Sequence, residues 1–499
     1  MPLTVSLTAP NGRKIELPTG LFINNEWVMA TKKGTITSIN PANETEIAFV
    51  QAATAEDVDI AVNAARAALG QPAWADMHSS TRGELLRKLS DLVEENIEDL
   101  ATLETWDGGK PYLVSLNEDL PEVVSCLRYF AGFADKIHGQ VIEGGAIKFA
   151  YTVREPIGVC GQIIPWNYPL MMVAWKLGPA LACGNTVVLK PSELTPLSIL
   201  YFANLIRKAG FPPGVINILN GCGHEAGTAI ANHQGIDKIA FTGSTATGQS
   251  VMKMAASNLK NITLETGGKS PLLVFNDADL DQTVKWAHVG IMSNQGQICS
   301  GTSRILVEKG VYEQFIAAFK GYTKKASKVG DPFRDDINQG PQISKIQYDR
   351  VLSYIDSGVK QGARLVLGGA PANEKAPGFF ILPTIFADVT DDMTISQEEI
   401  FGPVVVISAF ETEEEAIKKA NNSPYGLGCA IFTQNLERSH RLARKMESGT
   451  VWINSSNDSD SRTPFGGVKQ SGIGRELGEA GLAAYSSIKS VHVNIGAKL

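Results

Sequence analysis

Five short apolar runs, separated by segments with helical spacing, constrain the fold of this chain more than any other feature. The runs cover residues 159–164, 186–189, 215–219, 236–241 and 271–275. They are rich in Val, Ile and Leu and have the length of strands buried on both faces. An amphipathic helix is predicted between two of them, at 197–207, with Gly210 ending it. The pattern predicts an α/β fold with a parallel sheet and helices on both faces, the architecture of nucleotide-binding domains.

A second α/β set follows in the C-terminal half. Strands are predicted at 304–308, 404–410 and 429–433, and a helix at 312–328. A chain of 499 residues also exceeds the size at which one hydrophobic core stops growing. We therefore expect at least two domains.

Composition excludes several classes of protein. Lys and Arg number 45 against 52 Asp and Glu, and the net charge of −7 predicts no surface for nucleic acid. There is no apolar run of about 18 residues that would span a membrane, and no secretory signal pattern at the N-terminus. The six cysteines are scattered without a C-x-x-C pair, and no histidine completes a metal-ligand spacing. We expect a cytoplasmic protein without a structural metal.

Three polar residues in separate parts of the chain are candidates for covalent catalysis. Cys299 follows a run of amide residues and a glycine, Asn167 lies in a Pro-Trp-Asn-Tyr-Pro stretch, and Glu265 precedes Thr-Gly-Gly-Lys. A thiol, an amide donor and a carboxylate are the nucleophile, oxyanion donor and general base of acyl chemistry. Each also has a structural alternative: a buried apolar thiol, a turn residue and an ion-paired acid.

These stretches, at their mutual spacing, resemble the NAD(P)-dependent aldehyde dehydrogenase superfamily from about residue 21 to the C-terminus. The resemblance implies a Rossmann-type NAD-binding domain at 1–137 and 157–267, a catalytic domain at 268–470, and a small β oligomerisation extension formed by 138–156 and 480–499. It also implies that segments 151–155 and 485–493 pair as strands between subunits. The expected assembly is a homodimer or homotetramer.

The resemblance implies NAD as cofactor, with NADP as a less favoured alternative. No G-x-G-x-x-G fingerprint is present, but a Phe-Thr-Gly-Ser-Thr-Ala-Thr-Gly stretch follows a predicted strand and opens a helix. Glycines at such a turn let backbone amides approach a pyrophosphate. The carboxylate of Glu193 would accept hydrogen bonds from a ribose and repel a 2′-phosphate. The cofactor residues carried over are Ile163, Pro165, Trp166, Lys190, Glu193, Gly243, Ser244, Gly248, Gly267, Glu399 and Phe401.

The implied reaction oxidises an aldehyde to its carboxylic acid in two steps. Cys299 attacks the carbonyl, Asn167 stabilises the oxyanion, and Glu265 activates the water that hydrolyses the thioester. Lys176 is implied to relay protons. The substrate residues carried over are Tyr168, Met172, Trp175, Ile298, Ser300, Ser459 and Phe465. Two alternatives stay open: a catalytically silent structural member of the fold, and a relative that passes its thioester to coenzyme A, against which Glu265 argues.

Three segments bear on the polarity of the substrate and on the cellular location of the protein. Residues 455–463 contain no apolar side chain, and the resemblance places them at the mouth of the substrate tunnel. Asp458 and Asp460 there would favour polar or cationic aldehydes, unless the segment is an ordinary solvated loop. The stretch 296–300 also resembles the branch that acts on aminoaldehydes and betaine aldehyde. The final residues, Ala497-Lys498-Leu499, resemble a peroxisomal address, the alternative to the cytoplasm.

Overall fold

A computed structural model describes residues 2–373 and 377–496, so the C-terminal tripeptide considered above lies outside the described residues. The strands of this part of the chain are β1 Thr4–Thr8, β2 Lys14–Pro18, β3 Leu21–Ile23, β4 Glu26–Val28, β5 Thr35–Ile39, β6 Glu46–Gln51, β7 Val141–Glu143, β8 Lys148–Pro156, β9 Val159–Ile163, β10 Thr186–Lys190, β11 Ile216–Ile218, β12 Lys238–Thr242, β13 Asn261–Glu265, β14 Pro271–Val274, β15 Arg304–Glu308, β16 Arg364–Leu367, β17 Thr384–Ala387, β18 Val404–Phe410, β19 Gly428–Phe432, β20 Thr450–Ile453, β21 Gly472–Ile473 and β22 Ser486–Asn494.

The α-helices are α1 Ala55–Gly70, α2 Pro72–Ala75, α3 Ser79–Glu95, α4 Ile97–Gly108, α5 Tyr112–Val114, α6 Leu120–Phe133, α7 Pro169–Ala182, α8 Leu197–Ala209, α9 Thr228–Asn232, α10 Thr245–Ala255, α11 Leu280–Met292, α12 Tyr312–Ala326, α13 Lys345–Lys360, α14 Thr394–Gln397, α15 Glu413–Asn421, α16 Leu436–Ala443 and α17 Gly478–Ala484. None of these helices combines the length and the apolar character that a membrane crossing requires.

The first large sheet contains the strands predicted between residues 159 and 241. It has eight strands in the order β21-β13-β12-β9-β10-β11-β3-β4. The five strands from β13 to β11 in this order are parallel to one another. Beyond them, β21 pairs antiparallel with β13 and β3 pairs antiparallel with β11. Its apolar side chains form buried clusters with the helices on both faces, as the continuous hydrophobic runs predict.

The second large sheet has seven strands in the order β16-β17-β18-β15-β14-β19-β20. All of its pairs are parallel except β16 with β17. The predicted boundary at 267/268 falls in the short crossing between β13 of the first sheet and β14 of the second. Strand β21, at residues 472–473, returns to the edge of the first sheet and pairs with the end of β13.

A separate sheet has three strands in the order β22-β8-β7. Strands β8 and β22 pair antiparallel along their whole length within one chain, with Tyr151 opposite Val491 and Glu155 opposite Ser487. The expectation that these two segments pair between subunits is therefore wrong. Helix α17 directly precedes β22, and its Leu482 packs into the core of the first sheet, which brings the tail back beside β8 of its own chain.

The carboxyl ends of the parallel strands place the candidate residues together. Strand β9 ends at Ile163, β10 at Lys190, β12 at Thr242 and β13 at Glu265. Ligands of open α/β sheets bind outside this edge. The segment that connects β13 to β14 of the second sheet begins at this edge.

Candidate active site

Cys299 lies where two cavities meet. One cavity of about 170 Å³ is lined by Cys299 together with Pro165, Trp166, Gly267, Glu399 and Phe401, all predicted cofactor residues. A second cavity of about 260 Å³ is lined by Cys299 and by the predicted substrate residues Tyr168, Met172, Trp175, Ile298, Ser300, Ser459 and Phe465. The thiol is only partly exposed. A nucleophile in this position can contact a group entering from either side.

A strained turn presents Cys299. Asn294, Gln295 and Gly296 have φ of 46°, 57° and 73°, so three consecutive residues adopt the left-handed conformation. Such residues cost about 1–2 kcal/mol each unless they are glycine. Amide side chains hold the turn: Gln295 Nε2 donates to the Gly109 carbonyl at 2.9 Å, and Asn294 Nδ2 donates to the Asn167 carbonyl at 2.8 Å.

The side chain of Asn167 points at the same turn. Its Nδ2 donates to the Gln297 carbonyl at 2.9 Å, and the residue is buried. A side-chain amide carries two hydrogens, so the second remains for an oxygen on a carbon bonded to Cys299. This geometry fits the predicted oxyanion donor.

Burial raises the pKa of the Cys299 thiol to about 12. The nearby carboxylates of Glu399 and Glu265 contribute to this rise in pKa, and the backbone N–H groups of Ser300 and Cys299 act in the opposite direction. The free protein therefore holds this residue as a thiol at neutral pH. A base or a change in the neighbouring charges is needed before attack.

Glu265 ends β13 inside the second cavity, with its carboxylate buried and without a hydrogen-bond partner in the described part of the chain. Desolvation raises its pKa well above the usual range, and the Glu476 carboxylate raises it further. The Lys176 and Arg475 cations lower it by less, as does the Gly467 backbone N–H, which approaches the carboxylate without the geometry of a regular hydrogen bond. A buried carboxyl with a raised pKa and free oxygens is suited to general-base work near neutral pH.

Lys176 forms a buried network that the sequence did not reveal. Its Nζ is 2.7 Å from Glu476 Oε1 and donates to Thr242 Oγ1 at 2.6 Å. Both Glu476 and Thr242 line the cavity that contains Glu265. Glu476 was missed because an acid between glycine-rich segments resembles an exposed loop residue; a backbone bridge to Phe465 brings it inside.

The phosphate turn predicted after β12 has the expected local structure. Gly243 lies at the strand end, and a Cβ there would come within 2.6 Å of the Phe241 ring. Ser244 caps α10, its Oγ accepting from the Thr247 N–H at 3.3 Å. Gly248 packs against Thr266, where a Cβ would approach the methyl group to 2.7 Å. The N-terminus of α10 is left accessible to an anion.

An apolar pocket of about 420 Å³ lies beside this turn. The residues that line it include Ile163, Gly223, Phe241, Val251 and Met254. The Glu193 carboxylate accepts the Gly223 N–H at 3.2 Å and pairs with Lys190 Nζ at 3.1 Å. Partial burial raises the pKa of Glu193, but Lys190 and the backbone donors outweigh it, so the net shift is downward. The pocket and the ionised acid fit an adenosine with free ribose hydroxyls.

The 170 Å³ cavity beside Cys299 is shaped by glycine and by ring contacts. Glu399 Oε1 accepts the Gly268 N–H at 2.9 Å, and a Cβ on Gly267 would lie 2.2 Å from Glu399 Oε2. Burial raises the pKa of Glu399 to about 7. The rings of Trp166 and Phe401 meet edge to face at 5.3 Å. This space fits a flat polar ring with its ribose.

The lining of the 260 Å³ cavity contradicts the expectation that Asp458 and Asp460 contact the substrate. Asp460 forms an ion pair with Arg462, and the Arg462 side chain holds the pKa of Asp460 at about 2. Asp458 is exposed, and neither acid lines the cavity. The acids that do line it, besides Glu265 and Glu476, are Glu118, Asp119 and Glu122, none of which the sequence singled out.

Comparisons with known proteins agree with this geometry. A family model described as the aldehyde dehydrogenase family matches residues 27–491. An aldehyde dehydrogenase of Emericella nidulans is 53% identical over 97% of this chain and 96% of its own length. A structure of an aldehyde dehydrogenase from Bacillus cereus in complex with NAD+ is 50% identical, with a TM-score of 0.94 over 96% of this chain and 97% of its own.

A betaine aldehyde dehydrogenase from Staphylococcus aureus, also in complex with NAD+, is 41% identical with a TM-score of 0.94 over 97% of this chain and 99% of its own. The matches span nearly the whole length of both partners, so they include both large sheets and the cavities between them. This chain belongs to the aldehyde dehydrogenase family.

Proposed function

We propose that this protein oxidises aldehydes to carboxylic acids with NAD through a thioester on Cys299. Family membership supports the enzyme class, and the relative solved with NAD+ supports the cofactor. The observation that carries the mechanism is the position of Cys299 between the two cavities, with the unpartnered Glu265 carboxylate in the second.

The residues present fit NAD. Glu399 and Phe401 would hold the nicotinamide end beside Cys299, and Ser244 with the α10 N-terminus would hold the pyrophosphate. Lys190 and Glu193 would hold the adenosine ribose; the ionised acid favours NAD over NADP because it repels a 2′-phosphate. When bound, NAD supplies the two-electron acceptor.

Cys299 and Glu265 act in sequence on the substrate carbon. The Cys299 thiol gives its proton to water in the cavity, its sulfur adds to the aldehyde carbon, and Asn167 Nδ2 donates a hydrogen bond to the oxygen that becomes negative. After oxidation the carbon is held as a thioester. Glu265 then takes a proton from a water that attacks this carbon, and the C–S bond breaks to release the acid. The ion pair of Lys176 with Glu476 lies near Glu265 and can accept this proton from it.

We propose further that the protein forms a homodimer or homotetramer through the three-stranded sheet. Strand β22 pairs on one side only, with β8, among the described residues. Apolar side chains of this sheet are exposed at Val141, Ile488 and Val493. An open strand edge with apolar side chains is a template for a second copy.

The direct test of function is NADH formation from NAD and a panel of aldehydes, with the carboxylic acid identified by mass spectrometry. We expect stoichiometric NADH and acid, and no dependence on coenzyme A. Cys299→Ala should bind NAD and form neither product. Turnover that requires coenzyme A, or that survives in Cys299→Ala, would contradict the proposal.

A further inference from the structure

The C-terminal end of helix α4 contacts both segments of the chain that act on the aldehyde carbon. Gly109 follows the helix in the left-handed conformation, with φ of 74°. Its carbonyl accepts a hydrogen bond from Gln295 Nε2 at 2.9 Å, which ties this end of the helix to the turn that presents Cys299. The same end of α4 also contacts the segment that carries Asn167.

The first of these contacts comes from Glu104, which is 3% exposed. Its Oε1 accepts the N–H of Leu170 at 3.3 Å and the hydroxyl of Ser198. Helix α7 begins at Pro169, which has no N–H, and its N-cap residue Tyr168 provides no side-chain cap. Glu104 therefore supplies, from another helix, the acceptor that a local N-cap residue usually supplies to the first turn.

Lys110 makes the second contact, two residues before the start of that first turn. Its Nζ lies over the face of the Tyr168 ring, 3.6 Å from the centroid, and pairs with the buried Asp119. A cation in this position attracts the ring. Tyr168 directly follows Asn167 in the sequence. The chain just after Asn167 is thus held against α4 by one ring contact and one backbone hydrogen bond.

A purely structural alternative assigns Glu104 to the stability of α7, because an acceptor at a helix N-terminus stabilises any helix. The position of Gly109 gives the contact a second consequence. Since Gly109 and Glu104 lie at the same end of one helix, that end supports both partners of the reaction. A shift of Leu170 against α4 would therefore move Asn167 relative to Cys299.

We propose that Glu104 is a positioning residue that holds the Asn167 amide at the distance from Cys299 that the oxyanion requires. The inference rests on the proposed function, because it concerns the oxyanion donor of the same reaction. Glu104 does not line either of the two cavities that meet at Cys299, so it acts through Asn167 without contacting the substrate.

A double-mutant cycle between Glu104 and Asn167 tests this coupling. The quantity compared is kcat/KM for one aldehyde at saturating NAD, in the wild type, the two single variants and the double variant. Asn167→Ala should lower it by about a hundredfold to a thousandfold, as for other oxyanion donors. Glu104→Ala should lower it by about tenfold to a hundredfold, since a misplacement of about 1 Å can cost a hundredfold. In the Asn167→Ala background, however, Glu104→Ala should change it by less than about twofold.

Two further variants separate positioning from stability. Glu104→Gln keeps an acceptor for the Leu170 N–H and should restore kcat/KM to within about threefold of the wild type. Burial raises the pKa of Glu104 to about 7, and either protonation state can accept this bond, so it requires an oxygen and not a charge. The matched control is Thr412→Ala, which removes an exposed cap of α15 whose Oγ1 accepts the Glu415 N–H at 3.2 Å. It should lower the thermal midpoint by about 1 °C and leave kcat/KM unchanged.

An equal loss from Glu104→Ala in both backgrounds would overturn the inference, and so would a Glu104→Gln variant as slow as Glu104→Ala. If Glu104→Ala does not fold, Glu104→Asp, whose carboxylate is one methylene shorter, takes its place in the cycle with the same coupling expected. Both of these outcomes leave the proposed function intact. Wild-type kcat/KM in Asn167→Ala would instead reject the oxyanion role of Asn167 in the proposed function, and the inference with it.

Discussion

The reactivity of Cys299 is controlled by burial and by two neighbouring acids. Desolvation disfavours the thiolate, and the Glu399 and Glu265 carboxylates repel it. Below a pKa of about 12 the thiolate fraction, and with it the rate of alkylation, rises about tenfold for each pH unit. The arrangement keeps the nucleophile protected until the local charges change.

Removing one of these acids should move the pH profile in a defined direction. Glu399→Gln deletes a negative neighbour, so the pKa of Cys299 should fall and alkylation by iodoacetamide at pH 8 should become faster. The measurement is the rate of modification of the Cys299 peptide between pH 7 and 10 in the absence of NAD, with the partly exposed Cys222 peptide as internal control. A slower reaction, or a profile that does not move, would contradict the account.

The turn at residues 294–296 determines where Cys299 points. The sequence shows a run of amide residues and a glycine before Cys299 but gives no sign of what these side chains do. In the structure they hold the backbone: Gln297 Oε1 accepts the Ile343 N–H at 3.0 Å, and Gln342 Nε2 donates to the Gln295 carbonyl. These partners are distant in sequence, so local pattern could not reveal them.

Adding one methyl group to this turn should lower both kcat and thermal stability. In Gly296→Ala the added Cβ would lie 1.9 Å from the Gly402 carbonyl oxygen, at a residue with φ of 73°. We expect kcat to fall by at least about tenfold, since a misplacement of about 1 Å can cost a hundredfold, and the thermal midpoint to drop by several degrees. The control is Gly321→Ala in α12, where no atom lies within 4 Å of the new Cβ; it should be neutral or stabilising by up to about 1 kcal/mol. Wild-type kcat and stability in Gly296→Ala would refute this role of the turn.

At the scale of the whole molecule, the buried strands were the most predictable part. Predicted runs at 304–308 and 404–410 coincide with β15 and β18, because continuous apolar sequence is diagnostic of strands covered on both faces. Glu118, Glu122 and Glu476 could not be predicted as cavity residues, because an acid on a helix or between glycines has the same local pattern whether it faces solvent or a site. The pairing of β8 with β22 joins residues more than 300 positions apart, such as Arg154 and Ser486.

The exposed three-stranded sheet leads to a prediction about assembly. Ile488 on β22 is 62% exposed, and a carboxylate there would be buried on association. We expect Ile488→Glu to shift the sedimentation profile towards a smaller species, while Leu436→Glu, at a 72% exposed apolar residue of α16, should leave it unchanged. An oligomer unaffected by Ile488→Glu would place the interface elsewhere.

The central claim is that Glu265 activates the water that hydrolyses a thioester on Cys299, and one pre-steady-state experiment tests it. Glu265→Gln keeps the size of the side chain but cannot accept a proton, which typically costs about a hundredfold to ten-thousandfold in the affected step. Mixed with NAD and an aldehyde, this variant should release about one NADH per active site in a burst, then turn over slowly, and mass spectrometry should find the acyl group on Cys299. Steady-state turnover near that of the wild type, with no acyl-enzyme accumulating, would contradict the account.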